Sequence, residues 1–192
     1  MNRRALATIA TITAVILCMG LVVSQLQQVA RNGTLPLTDA SIIRQQAAAK
    51  RLDPALIAAV IYAETKFEPR PSSAGAEGLM QILPATAYYL AHLSGGITFT
   101  ASDLSTPSVN VAYGSYYLRY LLDHYEGNEM LAVAAYNAGL TNVDEWVAHA
   151  RAHGSTLGEQ QIPFPETREY VRRVLSAQRD YRATYPRQLG LS

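Results

Sequence analysis

Ten consecutive residues, Pro54 to Ala63, carry no charge: Pro-Ala-Leu-Ile-Ala-Ala-Val-Ile-Tyr-Ala. A helix that is apolar on every side must be buried, so this run sets the centre of whatever the chain folds into. The helix is expected because Asp53 can cap the free N–H groups and Pro54 suits the first helical position, where its missing N–H costs nothing. Glu64 follows directly, in the last turn. There the negative end of the helix dipole and the apolar neighbourhood both disfavour the ionised carboxylate. Two readings stay open at this point: an acid tuned to give a proton to a leaving oxygen, or a carboxylate that tips into solvent at a helix end.

At 192 residues the chain has the length of one ordinary domain plus an extension, and a domain of about 150 residues buries a sizeable core. A formal net charge of +1, with no basic stripe along any helical pattern, excludes nucleic acid as the expected partner. The single cysteine, Cys18, allows neither an internal disulfide nor a cysteine-based zinc site. The N-terminus says more. After Arg3 and Arg4, Ala5 to Val23 runs for 19 residues without a charge, which as a helix spans roughly 28 Å, close to a bilayer core. Arginines before the run and none directly after it favour the N-terminus inside and the rest of the chain outside. An uncleaved membrane anchor over residues 1–28 is expected, with a cleaved signal peptide ending around Val22 to Ser24 as the alternative. Cys18 also suggests a lipoprotein, but Leu17 is bulky where a small residue should precede a lipidated cysteine.

Residues 29–36 read as a linker, broken by Gly33 and Pro36. The globular part is expected over 37–187, with 188–192 as a tail. Thr38 or Asp39 can cap a first helix to about Arg51, ahead of the apolar helix from Pro54. Lys66 to Gly78 holds Pro69, Pro71, Gly75 and Gly78 and must be a loop. Met80 to Leu93 is expected to resume as helix, with Pro84 tolerated only if Gln81 to Leu83 sit before its first turn. Gly95 to Pro107 is a second loop, in which Thr98 to Thr100 is the one short stretch able to pair as strand. A long helix from Pro107 carries Val109, Ala112, Tyr116, Tyr120 and Leu121 at helical spacing. Asn128 can cap Glu129 to Ala138, and Gly139 should end that helix in the left-handed conformation. A short helix from Thr141 to about Ala152 and a third loop, Gly154 to Pro165, follow. Thr167 opens a terminal helix with Val171, Val174, Leu175, Gln178 and Tyr181 on one face. About seven helices, almost no strand and three loops able to wall a cleft make the fold class all-α, α+β at most.

Downstream of Glu64 the sequence reads Glu-Thr-Lys-Phe-Glu-Pro, then Ser72-Ser73-Ala74-Gly75-Ala76-Glu77-Gly78-Leu79-Met80-Gln81-Ile82-Leu83-Pro84-Ala85-Thr86-Ala87. This stretch resembles the signature of the soluble lytic transglycosylase (SLT) family, Glu-Ser-x-Phe-x-Pro followed by Ser-x-x-Gly-Ala-x-Gly-Leu-Met-Gln-Ile-x-Pro-x-Thr-Ala. Ala135-Tyr136-Asn137-Ala138-Gly139 is similar to the family's Ala-Tyr-Asn-Ala-Gly block, and Ile162 to Val171 resembles its closing block. The three blocks stand in the family's order across Leu37 to Arg187.

The resemblance implies a lysozyme-like helical domain with a substrate cleft, cleaving the β-1,4 bond between N-acetylmuramic acid and N-acetylglucosamine in peptidoglycan. It further implies that one glutamate, here Glu64, protonates the glycosidic oxygen and then takes the proton of the muramic C6 hydroxyl, closing a 1,6-anhydro ring without water. A conventional glycosidase needs a second carboxylate about 5 Å or 6.5–9.5 Å away, for which Glu68, Glu77, Asp103 and Glu166 are the candidates. Glu68 and Glu77 read as solvated loop charges and Asp103 as a turn or cap residue. Glu166 falls on the closing block's glutamate and could structure the cleft or simply charge a helix N-terminus. By the same resemblance Ser72, Met80 and Gln81 are candidate sugar contacts; a turn serine, a core methionine and a polar helix start are the plainer readings. Tyr136 is expected to face the cleft and hold the catalytic carboxyl, Asn137 to brace backbone, and Tyr170 to touch either sugar or core. Three departures from the pattern stand out: Thr65 for serine, Leu83 for a frequent methionine, and a Glu64–Gln81 loop one residue shorter.

His149 and His153 share a helix face at metal-compatible spacing, but no third ligand is near, so neither metal nor cofactor is expected. Trp146 reads as a core or cleft-rim anchor. The expected protein is thus a peptidoglycan lytic transglycosylase of the bacterial cell envelope. Its partners would be glycan strands, the cytoplasmic membrane through residues 1–28, and a cell-envelope protein complex, with the catalytic domain on the extracytoplasmic side. A lysozyme-like hydrolase and a non-catalytic glycan-binding tether are the alternatives.

Overall fold

In the computed structural model, which describes residue 19, residues 35–95 and residues 99–191, the helix built on the uncharged run lies at the centre of a helical body that starts at Pro36. The helices are α1 (Ala40–Lys50), α2 (Pro54–Thr65), α3 (Pro84–Ser94), α4 (Pro107–His124), α5 (Glu129–Ala138), α6 (Leu140–Ala152), α7 (Pro165–Thr184) and α8 (Pro186–Leu189), with 3-10 turns at Ala101–Ser105 and Glu159–Gln161. Among the described residues there is no sheet, only one antiparallel bridge between Glu77 and Ile82. The domain is all-α.

Asp53 explains why α2 starts where it does. Its Oδ1 accepts the Ala55 N–H at 3.0 Å, with Pro54 in the first turn. Its Oδ2 takes Gln178 Nε2 at 2.7 Å and Arg182 Nη2 at 2.9 Å, so one carboxylate both caps α2 and clamps it to α7. Ala55 to Ile61 are buried without interruption; at roughly 1.5–3 kcal/mol for each large aliphatic side chain, this run is a major source of the fold's stability. α7 packs along α2 through Thr167, Tyr170, Val171, Val174, Ala177, Gln178 and Tyr181. Leu175, expected on that face, is only half-buried.

Several expectations from the sequence are corrected. Neither Thr38 nor Asp39 caps α1: Asp39 takes a left-handed backbone, φ 54°, and its carboxylate accepts the Thr38 hydroxyl at 3.0 Å instead of a helix N–H. The buried face of α4 is Asn110, Val111, Gly114, Ser115, Leu118, Leu121 and Leu122, rotated from the one that runs through Val109, Ala112, Tyr116 and Tyr120. Small and polar residues disguise it, because Asn110 serves buried backbone and Gly114 makes room for Met80. The tyrosines stay at the margin, where their hydroxyls reach water. Gly139 has φ 86° and ψ 147°, outside the left-handed helical region, and joins α5 directly to α6 in a conformation open to glycine alone. α7 begins at Pro165, two residues before Thr167, and α3 begins at Pro84 and not at Met80, because residues 80–83 close the loop through the Glu77–Ile82 bridge.

The ends of the body also move. The Tyr181 hydroxyl donates to the Pro36 carbonyl at 2.6 Å, so Pro36 is part of the body and not of a linker. Leu189 of α8 is buried and Arg44 of α1 donates to the Gln188 carbonyl, so the chain past residue 187 packs rather than trails. The expected anchor over residues 1–28, Met19 aside, lies outside the described residues, as does Thr98. Among the described residues no helix is long and apolar enough to cross a membrane.

Asn110 is fully buried and ties three backbone groups together: its Oδ1 accepts the Met80 N–H at 2.8 Å, and its Nδ2 donates to the carbonyls of Glu77 at 2.8 Å and Leu104 at 3.0 Å. Asn110→Ala would strand these groups out of reach of water. A loss of about 2–4 kcal/mol in urea unfolding is expected, and a loss below about 0.5 kcal/mol would show that the bonds are replaceable.

Candidate active site

Glu64 is half-buried in the last turn of α2, and the Tyr170 hydroxyl donates to its Oε1 at 2.6 Å. Burial pushes its carboxyl from 4.5 up to about 7, against the opposing pull of the Tyr170 hydrogen bond and the Arg173 charge. Among the described residues no carboxylate is part of this electrostatic environment. Tyr170 is 2% exposed, and burial followed by the Glu64 charge holds its phenol well above the ordinary value. Burial followed by Glu64 does the same to Tyr136, which places that ring within electrostatic reach of the carboxyl. The Tyr136 hydroxyl, however, donates to the Met80 carbonyl at 2.9 Å. The phenol bonded to Glu64 is therefore that of Tyr170, because α7 lies directly along α2, while Tyr136 braces the loop across the site.

That loop, Lys66 to Leu83, is held from several sides. The Thr65 hydroxyl lies 3.1 Å from the Ile61 carbonyl and 2.9 Å from that of Leu79, tying the end of α2 to the loop's far arm. Gly78 sits at φ 72°, and a Cβ there would fall 2.2 Å from Asn110 Nδ2 and 2.6 Å from the Leu104 carbonyl, so glycine is required. Ser72 Oγ accepts the Ala76 N–H at 2.9 Å, which is turn bonding. Gln81 spends its Nε2 on the carbonyls of Arg70 and Gly78, both at 2.9 Å, leaving Oε1 outside those bonds. Met80 is fully buried against Gly114, whose Cβ would come within 2.4 Å of its sulfur. Its side chain cannot reach a ligand, and the plainer reading of a core methionine is the one adopted.

Asn137 braces a side chain, not backbone: its Oδ1 accepts the Thr167 hydroxyl at 2.8 Å, joining α5 to the first turns of α7. Glu166 is exposed in the first turn of α7. It shares a helix face with Tyr170 and Arg173, four and seven residues on. The Arg173 guanidinium lies 5.6 Å from the Tyr170 ring centroid. Sequence reasoning missed Arg173, although its spacing from Tyr170 signalled the shared face; it also missed Asn110, which nothing in a helical pattern marks as a loop brace. Among the other candidate carboxylates, Asp103 closes a capping box with Thr100 and Glu68 is exposed. Leu83 is 42% exposed at the N-terminus of α3. Trp146 packs edge-on against Phe164 at 4.9 Å and borders a groove of about 640 Å³ with His149 and His153. The two imidazoles lie 4.3 Å apart, and among the described residues no three His, Cys, Asp or Glu side chains are grouped to hold a metal ion.

A family model described as the transglycosylase SLT domain matches residues 41–157. The chain belongs to that family. The SLT domain lies within the lysozyme-like superfamily, in agreement with the three sequence blocks. The chain is 30% identical over 150 residues to the soluble lytic murein transglycosylase of Escherichia coli K12, covering 77% of this chain and 23% of that protein. It is 41% identical over 103 residues to a transglycosylase of Enterobacteria phage PRD1, covering 53% of this chain and 35% of that one. An inactive Glu-to-Gln mutant of the lytic transglycosylase Slt from Pseudomonas aeruginosa superposes with a TM-score of 0.70 at 31% identity, over 78% of this chain and 24% of that one. The chain thus spans about a quarter of the length of the soluble lytic murein transglycosylases it matches.

The raised Glu64 carboxyl couples this SLT domain's stability to pH. A neutral Glu64 costs nothing below about 4.5; as pH rises through about 7 the folded state must accept a buried charge that the unfolded chain carries freely. Glu64→Gln should therefore match the parent near pH 4 and exceed it by up to about 3.5 kcal/mol near pH 8 in urea unfolding, at about 1.4 kcal/mol for each pH unit of displacement. Parallel stability profiles for the two proteins would mean that Glu64 titrates normally.

Proposed function

We propose that the chain is a peptidoglycan lytic transglycosylase in which Glu64 is the only catalytic carboxyl. The observation that carries this reading is a half-buried acid poised at about 7 and bonded to a phenol, on which, among the described residues, a guanidinium and no carboxylate acts. Poised there, it holds its proton at neutral pH and can donate to the bridging oxygen of the β-1,4 linkage between N-acetylmuramic acid and N-acetylglucosamine. That donation breaks the C1–O bond and releases the N-acetylglucosamine hydroxyl. The resulting Glu64 carboxylate takes the proton of the muramic C6 hydroxyl as its oxygen bonds C1. The 1,6-anhydro ring closes, Glu64 regains its proton, and no water is consumed.

The neighbouring groups fit these two states. Tyr170 and Arg173 stabilise the carboxylate that exists between the two proton transfers, while burial stabilises the acid that begins and ends the cycle. Tyr136 keeps the loop wall in place through Met80, and Gln81 and Ser72 would order the loop facing the sugar rather than grip it through their bonded atoms. Glu166 and Arg173, on the Tyr170 face of α7, would border the bound strand. The relatives support the class of reaction, since those reported are transglycosylases and one is an inactive Glu-to-Gln mutant. By this reading the domain works outside the cytoplasmic membrane, held there or exported by residues 1–28, on glycan strands and alongside envelope proteins.

Glu64→Gln should keep the fold and lose at least about a hundredfold in turnover of isolated sacculi. With the parent enzyme, kcat/KM should fall as pH rises through about 7, where Glu64 gives up its proton. Mass spectrometry of the digest should show muropeptides lighter by one water than hydrolytic products. Reducing ends in their place would assign the site to a hydrolase, and full turnover by the Gln variant would remove Glu64 from the chemistry.

A further inference from the structure

The two histidines at the end of α6 are metal-ligating groups that the proposed chemistry leaves unused. His149 and His153 lie one turn apart on one face of the helix. They line the groove of about 640 Å³ that runs between the end of α6 and the loop of residues 155–163, together with Glu145 and Trp146. None of these residues belongs to the site around Glu64. Both imidazoles are exposed, so core packing does not account for the pair.

Local geometry prepares the pair as ligands. His153 Nδ1 lies 2.8 Å from the His149 carbonyl oxygen. A carbonyl only accepts, so Nδ1 carries the proton, and in the neutral ring the Nε2 lone pair is left free. Metal-bound imidazoles are held in this way, with the nitrogen away from the ion bonded to a backbone carbonyl or a carboxylate. The ring centroids are 4.3 Å apart. An ion bonded to one nitrogen of each ring at about 2.0–2.1 Å keeps the two centroids within about 6 Å of each other, so the pair already sits inside the span that one ion bridges. Imidazole selects copper(II), nickel(II) or zinc(II) over magnesium or calcium, and copper(II) binds most strongly to a given set of such ligands. Among the described residues no third His, Cys, Asp or Glu joins the two rings, so water would complete the shell. The spacing is legible in the sequence; the fixed tautomer is not.

We propose that His149 and His153 form an open two-imidazole site for a divalent late transition-metal ion such as copper(II). The ion closes the last turn of α6 across four residues, from His149 to the C-terminal cap at His153. It thereby holds the turn from which the loop toward α7 departs. The site stands independently of the reading of Glu64.

Calorimetry on the full chain, without an added histidine tag, tests the site with copper(II) and with magnesium as the control ion. One equivalent of copper(II) should bind, and magnesium should not. His149→Gln or His153→Gln should weaken copper(II) at least about tenfold, since loss of an outer-shell partner alone costs 10–100-fold. Cys18→Ser and substitutions at the chain's other two histidines, His92→Gln and His124→Gln, should bind as the parent does. Copper(II) at about a hundred times its dissociation constant should raise the melting temperature of the parent by about 5–10 °C, and by about half as much or less in either α6 variant. Matching melts without metal verify the fold, and electron paramagnetic resonance should show imidazole nitrogen couplings to the bound copper in the parent that the double variant lacks. Absence of copper(II) binding to the parent, its survival undiminished in the double variant, or its loss with Cys18→Ser overturns the site.

Discussion

The hydrogen bond between Tyr170 and Glu64 depends on nearly everything else in the domain. It forms because α7 lies along α2, and α7 lies there because α2 has no polar face to turn toward water. Burial raises the Glu64 carboxyl, because the low-dielectric surroundings penalise its charged form. One phenol and one guanidinium pull the other way, and the balance lies at about 7. Those two groups come from a single face of α7, so the helix that supplies the apolar wall also supplies the polar correction.

Asp53 fixes the geometry from the other end. It caps α2 and binds Gln178 and Arg182 of α7, which sets the register of the two helices. A slide of one residue, about 1.5 Å, would carry the Tyr170 hydroxyl out of hydrogen-bonding range of Glu64. The capping residue that marks the helix start in the sequence therefore also sets the chemistry at the other end of α2.

What the sequence showed well is what depends on local chemistry. The run from Pro54, its Asp53 cap, the Pro84 and Pro107 helix starts and the Asn128 cap each follow from one or two adjacent residues, and each stands in the structure. What it showed poorly depends on partners distant in the chain. Asn110 and Gly114 look like defects in the apolar stripe of α4 until the loop of residues 77–82 is packed onto them. The same holds for the tyrosines: Tyr136 and Tyr170 were both singled out, but which one bonds Glu64 depends on helix packing that no motif encodes. Met80 was misleading for a related reason, since its place in a ligand-rich motif reflects its backbone, which takes the Tyr136 and Asn110 bonds, and not its buried side chain.

The loop after α2 carries a cost that the fold alone does not require. Lys66, Phe67 and Gln81 all adopt positive φ, between 50° and 64°, at about 1 kcal/mol or more each for residues with a side chain. A longer loop could cross from α2 to α3 in relaxed conformations. The observed path instead drops sharply from Thr65, buries Phe67 against Tyr181, and returns under Asn110 so that the Glu77–Ile82 bridge closes the far wall. Strain of this kind persists only where surrounding bonds overdetermine the backbone. Thr65, Asn110 and Tyr136 supply such bonds from three different helices. The loop's stiffness is therefore built into the packing.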